Sequence, residues 1–102
     1  MKREIKILKA LNSHPNIVEL KDVVRDPASR AICLVFDHLE NTDFRSLISS
    51  MNGYDIRFYL FELLKALDFC HSKGIVHRDV KPQNIIVNPE KKLLKLIDWG
   101  LA

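Results

Sequence analysis

The sequence predicts an α+β fold in two groups of elements, and three observations carry that reading. Residues 17–36 read as strand, turn and strand around RDPASR. Residues 55–72 place apolar side chains at helical spacing ahead of a Lys73-Gly74 stop. Residues 85–97 read as a second strand pair around the turn NPEKK.

The elements follow in order. KREIKILKAL is rich in helix formers and puts Glu4, Leu8 and Leu11 on one face. Asn12-Ser13-His14-Pro15 ends that helix, because proline disfavours the helical conformation in the residue before it. NIVELKDVV reads as a strand, DPAS as a turn with Pro27 at its second position, and AICLVF as the antiparallel partner. DHLENTD is a polar connector whose Asp43 is placed to cap a short helix, FRSLIS. The long helix that follows predicts one apolar stripe of Ile56, Leu60, Leu63, Leu64, Leu67 and Cys70. After its glycine stop come the loop IVHRDVKPQN, the strands IIV and LLKLI, and the segment DWGLA.

Composition narrows the classes. The 102 residues are 47% apolar and 28% charged, which suits a globular domain or a piece of one. The net charge of +3 tolerates acidic partners, but no lysine–arginine block is long enough to predict direct nucleic-acid binding. The longest apolar run, AICLVF, is too short to span a bilayer, so no membrane association is expected. MKREIKILKA lacks the apolar centre of a signal peptide. Cys33 and Cys70 sit among apolar residues without metal-type spacing and read as buried, reduced thiols.

The loop is the unusual feature, because it concentrates charge between two apolar runs. Taken singly, each of its residues has a plain role: Asp79 a turn former, Lys81 a solvated charge, Asn84 a cap, His77 a hydrogen-bonded core histidine. Taken together they suit phosphoryl transfer. Asp79 accepts the proton of an attacking hydroxyl, Lys81 neutralises the transferring group, and Asn84 offers a neutral oxygen to a hard cation. Asp98 supplies the carboxylate that magnesium still needs, and the hairpin between residues 84 and 98 returns the chain to the same place.

HRDVKPQN followed by DWG resembles the catalytic and magnesium loops of eukaryotic protein kinases. A lysine two residues after the aspartate resembles the serine/threonine rather than the tyrosine branch. Trp99 stands where most such kinases carry phenylalanine. With LVFDHLENTDF, YDIRFYLFELLKALDFCHSKGI and RDPASR, the pattern resembles the catalytic alpha subunits of the casein kinase 2 family over essentially the whole chain.

The resemblance implies a partial protein-kinase fold: residues 1–36 as part of the N-lobe, 37–43 as the hinge, and 44–102 as part of the C-lobe. It implies Asp79 as catalytic base, Lys81 as the γ-phosphate contact, and Asn84 and Asp98 as metal ligands. It implies Glu4 as the C-helix glutamate, Phe36 as gatekeeper, Asp37 to Leu39 as the purine-binding hinge, and Ile86 and Ile97 as apolar walls of the nucleotide pocket. His77, Trp99, Leu8 and Leu20 resemble a packed column joining the lobes. The implied cofactors are ATP, with GTP accepted as well, and Mg2+. The implied partners are protein substrates with acidic sites and a regulatory beta subunit, in cytoplasm and nucleus.

The resemblance begins at the C-helix and stops just after DWGL, so it lacks a glycine-rich phosphate loop, the lysine that pairs with Glu4, and an activation segment. An isolated chain of this kind is expected to be marginally stable, with little or no turnover. A truncated, non-catalytic product that binds nucleotide weakly or competes for the beta subunit is the alternative. A small-molecule phosphotransferase shares the Asp…Asn…Asp logic, but the arginine before Asp79 and the Lys81 spacing argue against it.

Overall fold

The computed structural model describes residues 2–39 and 44–102, so the cap expected at Asp43 and part of the connector lie outside the described residues. The architecture is α+β, consistent with a partial protein-kinase fold. Helix α1 (Lys2–Ala10) is followed by the antiparallel hairpin β1 (Leu20–Arg25) and β2 (Ile32–Phe36). Then come α2 (Phe44–Ile48), the long α3 (Gly53–Ser72), a short 3-10 turn (Pro82–Asn84), and a second antiparallel hairpin, β3 (Ile85–Asn88) and β4 (Leu93–Leu96). Among the described residues no helix is long and apolar enough to cross a membrane.

Residues 16–18 depart from the expected strand NIVELKDVV. They leave the first hairpin and lie parallel to β4, with a bridge between Ile17 and Leu96. The Leu96 amide donates to the Asn16 carbonyl at 2.8 Å and the Val18 amide donates to the Leu96 carbonyl at 3.2 Å. A β-bulge between Leu20 and Asp22 separates this segment from the regular ladder of β1. The segment thus joins the two hairpins, and Leu8, Leu11, Ile17, Leu20, Leu94 and Leu96 share the buried core.

The long helix starts on Asn52, whose side chain accepts the Asp55 amide at 2.9 Å, and stops at Gly74, where φ is +74°. Its buried face keeps Leu63, Leu67 and Cys70 of the predicted stripe and departs from the rest. Tyr59, Ala66 and Cys70 are buried with Leu63 and Leu67 half-buried, whereas Ile56, Leu60 and Leu64 are exposed. The helix is apolar over most of its circumference, so spacing alone admits two faces, and packing against β4 selects the one through Tyr59, Leu63, Ala66 and Cys70. Cys33 also departs from expectation. It is exposed, because β2 belongs to a hairpin covered only at Leu20, Val23, Ile32 and Leu34.

Trp99 is fully buried beneath the second hairpin. Its indole N–H donates to the Leu96 carbonyl at 3.3 Å, and its ring meets the edge of His77 at a centroid distance of 4.6 Å. The same carbonyl therefore accepts from both Val18 and Trp99.

Two outcomes follow for stability. Leu96→Ala should cost about 2–5 kcal/mol in denaturant unfolding, while Leu60→Gln on the exposed face of α3 should stay within about 0.5 kcal/mol. Trp99→Phe keeps the ring and loses the N–H, so it should cost about 1 kcal/mol and raise amide exchange in residues 97–101; unchanged exchange there would show that the indole bond does not restrain the segment.

Candidate active site

The loop after α3 is held by side chains rather than by regular structure. His77 is buried, with Nε2 lying 2.8 Å from the Ile97 carbonyl and Nδ1 accepting the Asp79 amide at 3.0 Å. Because Nδ1 accepts, the proton sits on Nε2, and the imidazole braces the loop as a neutral donor–acceptor pair. Arg78 takes a left-handed conformation, φ +71°, and its Nε donates to the Leu101 carbonyl at 2.6 Å.

Pro82 opens the 3-10 turn, where its missing N–H costs nothing, and the turn brings Asn84 back to the loop. The Asn84 amide nitrogen forks, donating to the Asp79 carbonyl at 2.9 Å and to Asp79 Oδ2 at 3.0 Å. Lys81 Nζ lies 3.6 Å from the other carboxylate oxygen, Oδ1. Two of the residues expected to act in catalysis, Lys81 and Asn84, therefore both meet the third, Asp79. Asn84 is buried and Lys81 exposed, so the first fixes the carboxylate while the second is free to follow an incoming charge.

Asp98 stands at the end of β4 in a left-handed conformation, φ +58°, and its Oδ1 accepts the Gly100 amide at 3.3 Å. The Ile97 amide donates to the Asn84 carbonyl at 2.9 Å, which ties Asp98 to the Asn84 turn through the backbone. Among the described residues neither Asn84 Oδ1 nor the outer oxygen of Asp98 receives a hydrogen bond. These are two open, hard oxygen donors, a set that suits magnesium better than a transition metal. Among the described residues no cluster of three His, Cys, Asp or Glu side chains forms a separate metal cage.

A cleft of about 320 Å³ opens between the first hairpin and the second. It is lined by Glu4, Val18, Phe36, Asp37, His38, Leu39, Ile86, Ile97 and Asp98. Every residue expected to contact a nucleotide, namely Glu4, Phe36, Asp37, Leu39, Ile86 and Ile97, faces this one space, with Asp98 at its edge. Asp79, Lys81 and Asn84 are not among its lining residues.

Glu4 reaches the same end of the cleft. A Cβ at Gly100 would stand 3.3 Å from Asp98 Oδ1 and 3.7 Å from Glu4 Oε1, so both carboxylates converge on this glycine. Asp37 is engaged on its outer side by Lys21 at 3.4 Å, and Glu19 and Asp37 together raise the Lys21 pKa. One lining residue lies outside the expected set. Val18 enters the cleft because its segment leaves β1, which no local pattern signals. His38 belongs to the expected hinge, Asp37 to Leu39, and lines the cleft with it.

The chain thus carries a carboxylate–amide–lysine cluster, a pair of hard oxygen donors and an apolar cleft edged by Asp98. The chain matches the protein kinase domain over residues 1–102, its entire length. Members of that family generally use ATP and Mg2+, which is what an apolar cleft beside hard oxygen donors can accommodate. The chain belongs to the protein kinase family.

Proposed function

We propose that this chain carries the catalytic centre of a serine/threonine protein kinase of the casein kinase 2 alpha type, moving the γ-phosphate of ATP or GTP to protein hydroxyls beside acidic residues. The observation that supports it most is the fork of Asn84 onto Asp79, with Lys81 3.6 Å away on the other side of the carboxylate. That arrangement holds Asp79 in one rotamer with Oδ1 turned toward the lysine. A substrate hydroxyl seated there hydrogen-bonds the carboxylate and keeps its oxygen aimed at the phosphorus. Lys81 lies beside the point where charge develops on the transferred group.

The nucleotide base fits the apolar part of the cleft, between Val18, Phe36, Ile86 and Ile97. His38 and Leu39 make no backbone hydrogen bonds among the described residues, so their N–H and C=O groups are available to a purine edge. Asn84 Oδ1 and the Asp98 carboxylate would hold magnesium, which supplies charge neutralisation on the phosphates. The spacing of Lys81 from Asp79 supports serine/threonine acceptors, and the net charge of +3 is compatible with acidic substrates. The exposed turn of residues 25–30 is the surface we assign to a regulatory beta subunit.

One observation favours a second reading, a non-catalytic nucleotide-binding product. Among the described residues no lysine pairs with Glu4, and none of the three glycines lies in a loop able to cover phosphates.

The test is a pair of measurements on the purified chain. ATP and GTP should bind in a magnesium-dependent manner, and Asp98→Asn should remove the magnesium dependence. Phosphate transfer to an acidic serine peptide should be slow, and Asp79→Asn, which keeps an acceptor for Asn84, should lower it about a hundredfold or more. Transfer insensitive to Asp79→Asn would refute the assignment; binding with no transfer at all would select the second reading.

A further inference from the structure

We propose that His14 is a proton-sensitive latch: the neutral imidazole holds residues 14–18 against α3 and β4, and its protonation releases them. The geometry begins with His14 Nδ1, which accepts the Asn16 amide at 3.1 Å. That bond needs the Nδ1 lone pair, and protonation of Nδ1 turns the acceptor into a donor facing another donor. The ring also rests on Phe69 of α3, with centroids 4.7 Å apart and planes tilted by 33°.

Asn16 is what the latch holds. Its carbonyl accepts the Leu96 amide at 2.8 Å, and its side-chain nitrogen donates to the Leu94 carbonyl at 3.0 Å. Its Oδ1, however, is buried without a donor among the described residues. An unpaired buried acceptor costs roughly 1–3 kcal/mol, so the docked segment carries a penalty and little further loss is needed to open it.

The charges around the ring favour release on protonation. From α3 it faces Lys65 and Glu62, which pair with each other, and from β4 it faces Lys95. Its own segment, residues 12–18, carries no charged side chain. Burial, then Lys65 and Lys95, lower the His14 pKa, and Glu62 opposes them only in part. A histidine held below its free value stabilises the docked state fully above about pH 6.5, and that contribution is lost as pH falls further. Val18 travels with this segment, so release also withdraws one wall of the cleft.

Amide exchange of the whole chain tests this without reference to catalysis. Protection factors at Asn16, Val18 and Leu96 should fall about five- to tenfold between about pH 7.5 and about pH 5, beyond any change at Val87 in β3. His14→Asn offers the same amide a non-titrating acceptor, as an Asx turn does, and should abolish the pH dependence. Within the unsubstituted chain, the midpoint of the protection loss should coincide with the titration of the His14 ring followed by its Cε1–H chemical shift. An equal loss in His14→Asn, or a midpoint displaced from the ring titration, would overturn the latch.

Discussion

Leu96 connects everything that gives this chain a site. Its amide and carbonyl bind residues 16 and 18, the carbonyl also takes the indole N–H of Trp99, and its side chain is fully buried opposite Ile85. Each two-stranded hairpin alone would be marginal in water, since neither offers enough apolar area to offset its ordering entropy. The parallel stitch at Ile17 lets both hairpins share one core with α1 and α3. Alternation along β4 then does the rest. Leu94 and Leu96 face inward and Ile97 turns toward the cleft, so a register slip of one residue would exchange core and cleft.

A second clamp, at Ile97, positions the chemistry. Its carbonyl engages His77 and its amide donates to the Asn84 carbonyl, so one peptide unit on each side braces the loop and the turn. Two residues flanking this clamp, Arg78 and Asp98, sit at positive φ without being glycine. Such conformations cost on the order of 1–3 kcal/mol each and persist only where surrounding bonds over-determine them. Here those bonds are the His77 brace, the Arg78 contact to Leu101 and the Asp98 contact to the Gly100 amide. Strain is thus stored on either side of Asp79 and Asn84, while those two are held by ordinary hydrogen bonds.

Much of this was legible from residue order. The helices, both hairpins and the loop between them follow from spacing, proline and glycine, and all six nucleotide-contact candidates line the cleft together. The failures share one cause: they concern which partner a segment meets. NIV is as good a strand start as any, and only the position of β4 draws residues 16–18 away from β1. The α3 stripe is only half right, because large side chains such as Leu60 and Tyr59 stand on adjacent faces of the helix and packing alone decides which is covered. Cys33 was expected inside because AICLVF looks like a core strand, whereas its hairpin is covered on one side at most. Hydrophobicity tells how much surface a segment would gain by burial, not what is there to cover it.

The sign of the cleft's charge bears on what it can hold. Glu4, Asp37 and Asp98 contribute carboxylates and no lining residue is lysine or arginine. Lys21 compensates Asp37, and among the described residues no lysine or arginine pairs with Glu4 or Asp98 where they converge on Gly100. At this exposed edge the repulsion of one more negative charge is only about 1 kcal/mol per carboxylate at contact distance, but a polyanionic phosphate chain meets it several times over. A negatively charged group entering at this edge is therefore opposed unless a cation accompanies it. The cleft is thus electrically uneven: its walls are apolar, while its edge at Glu4 and Asp98 is anionic and favours a cation over an anion.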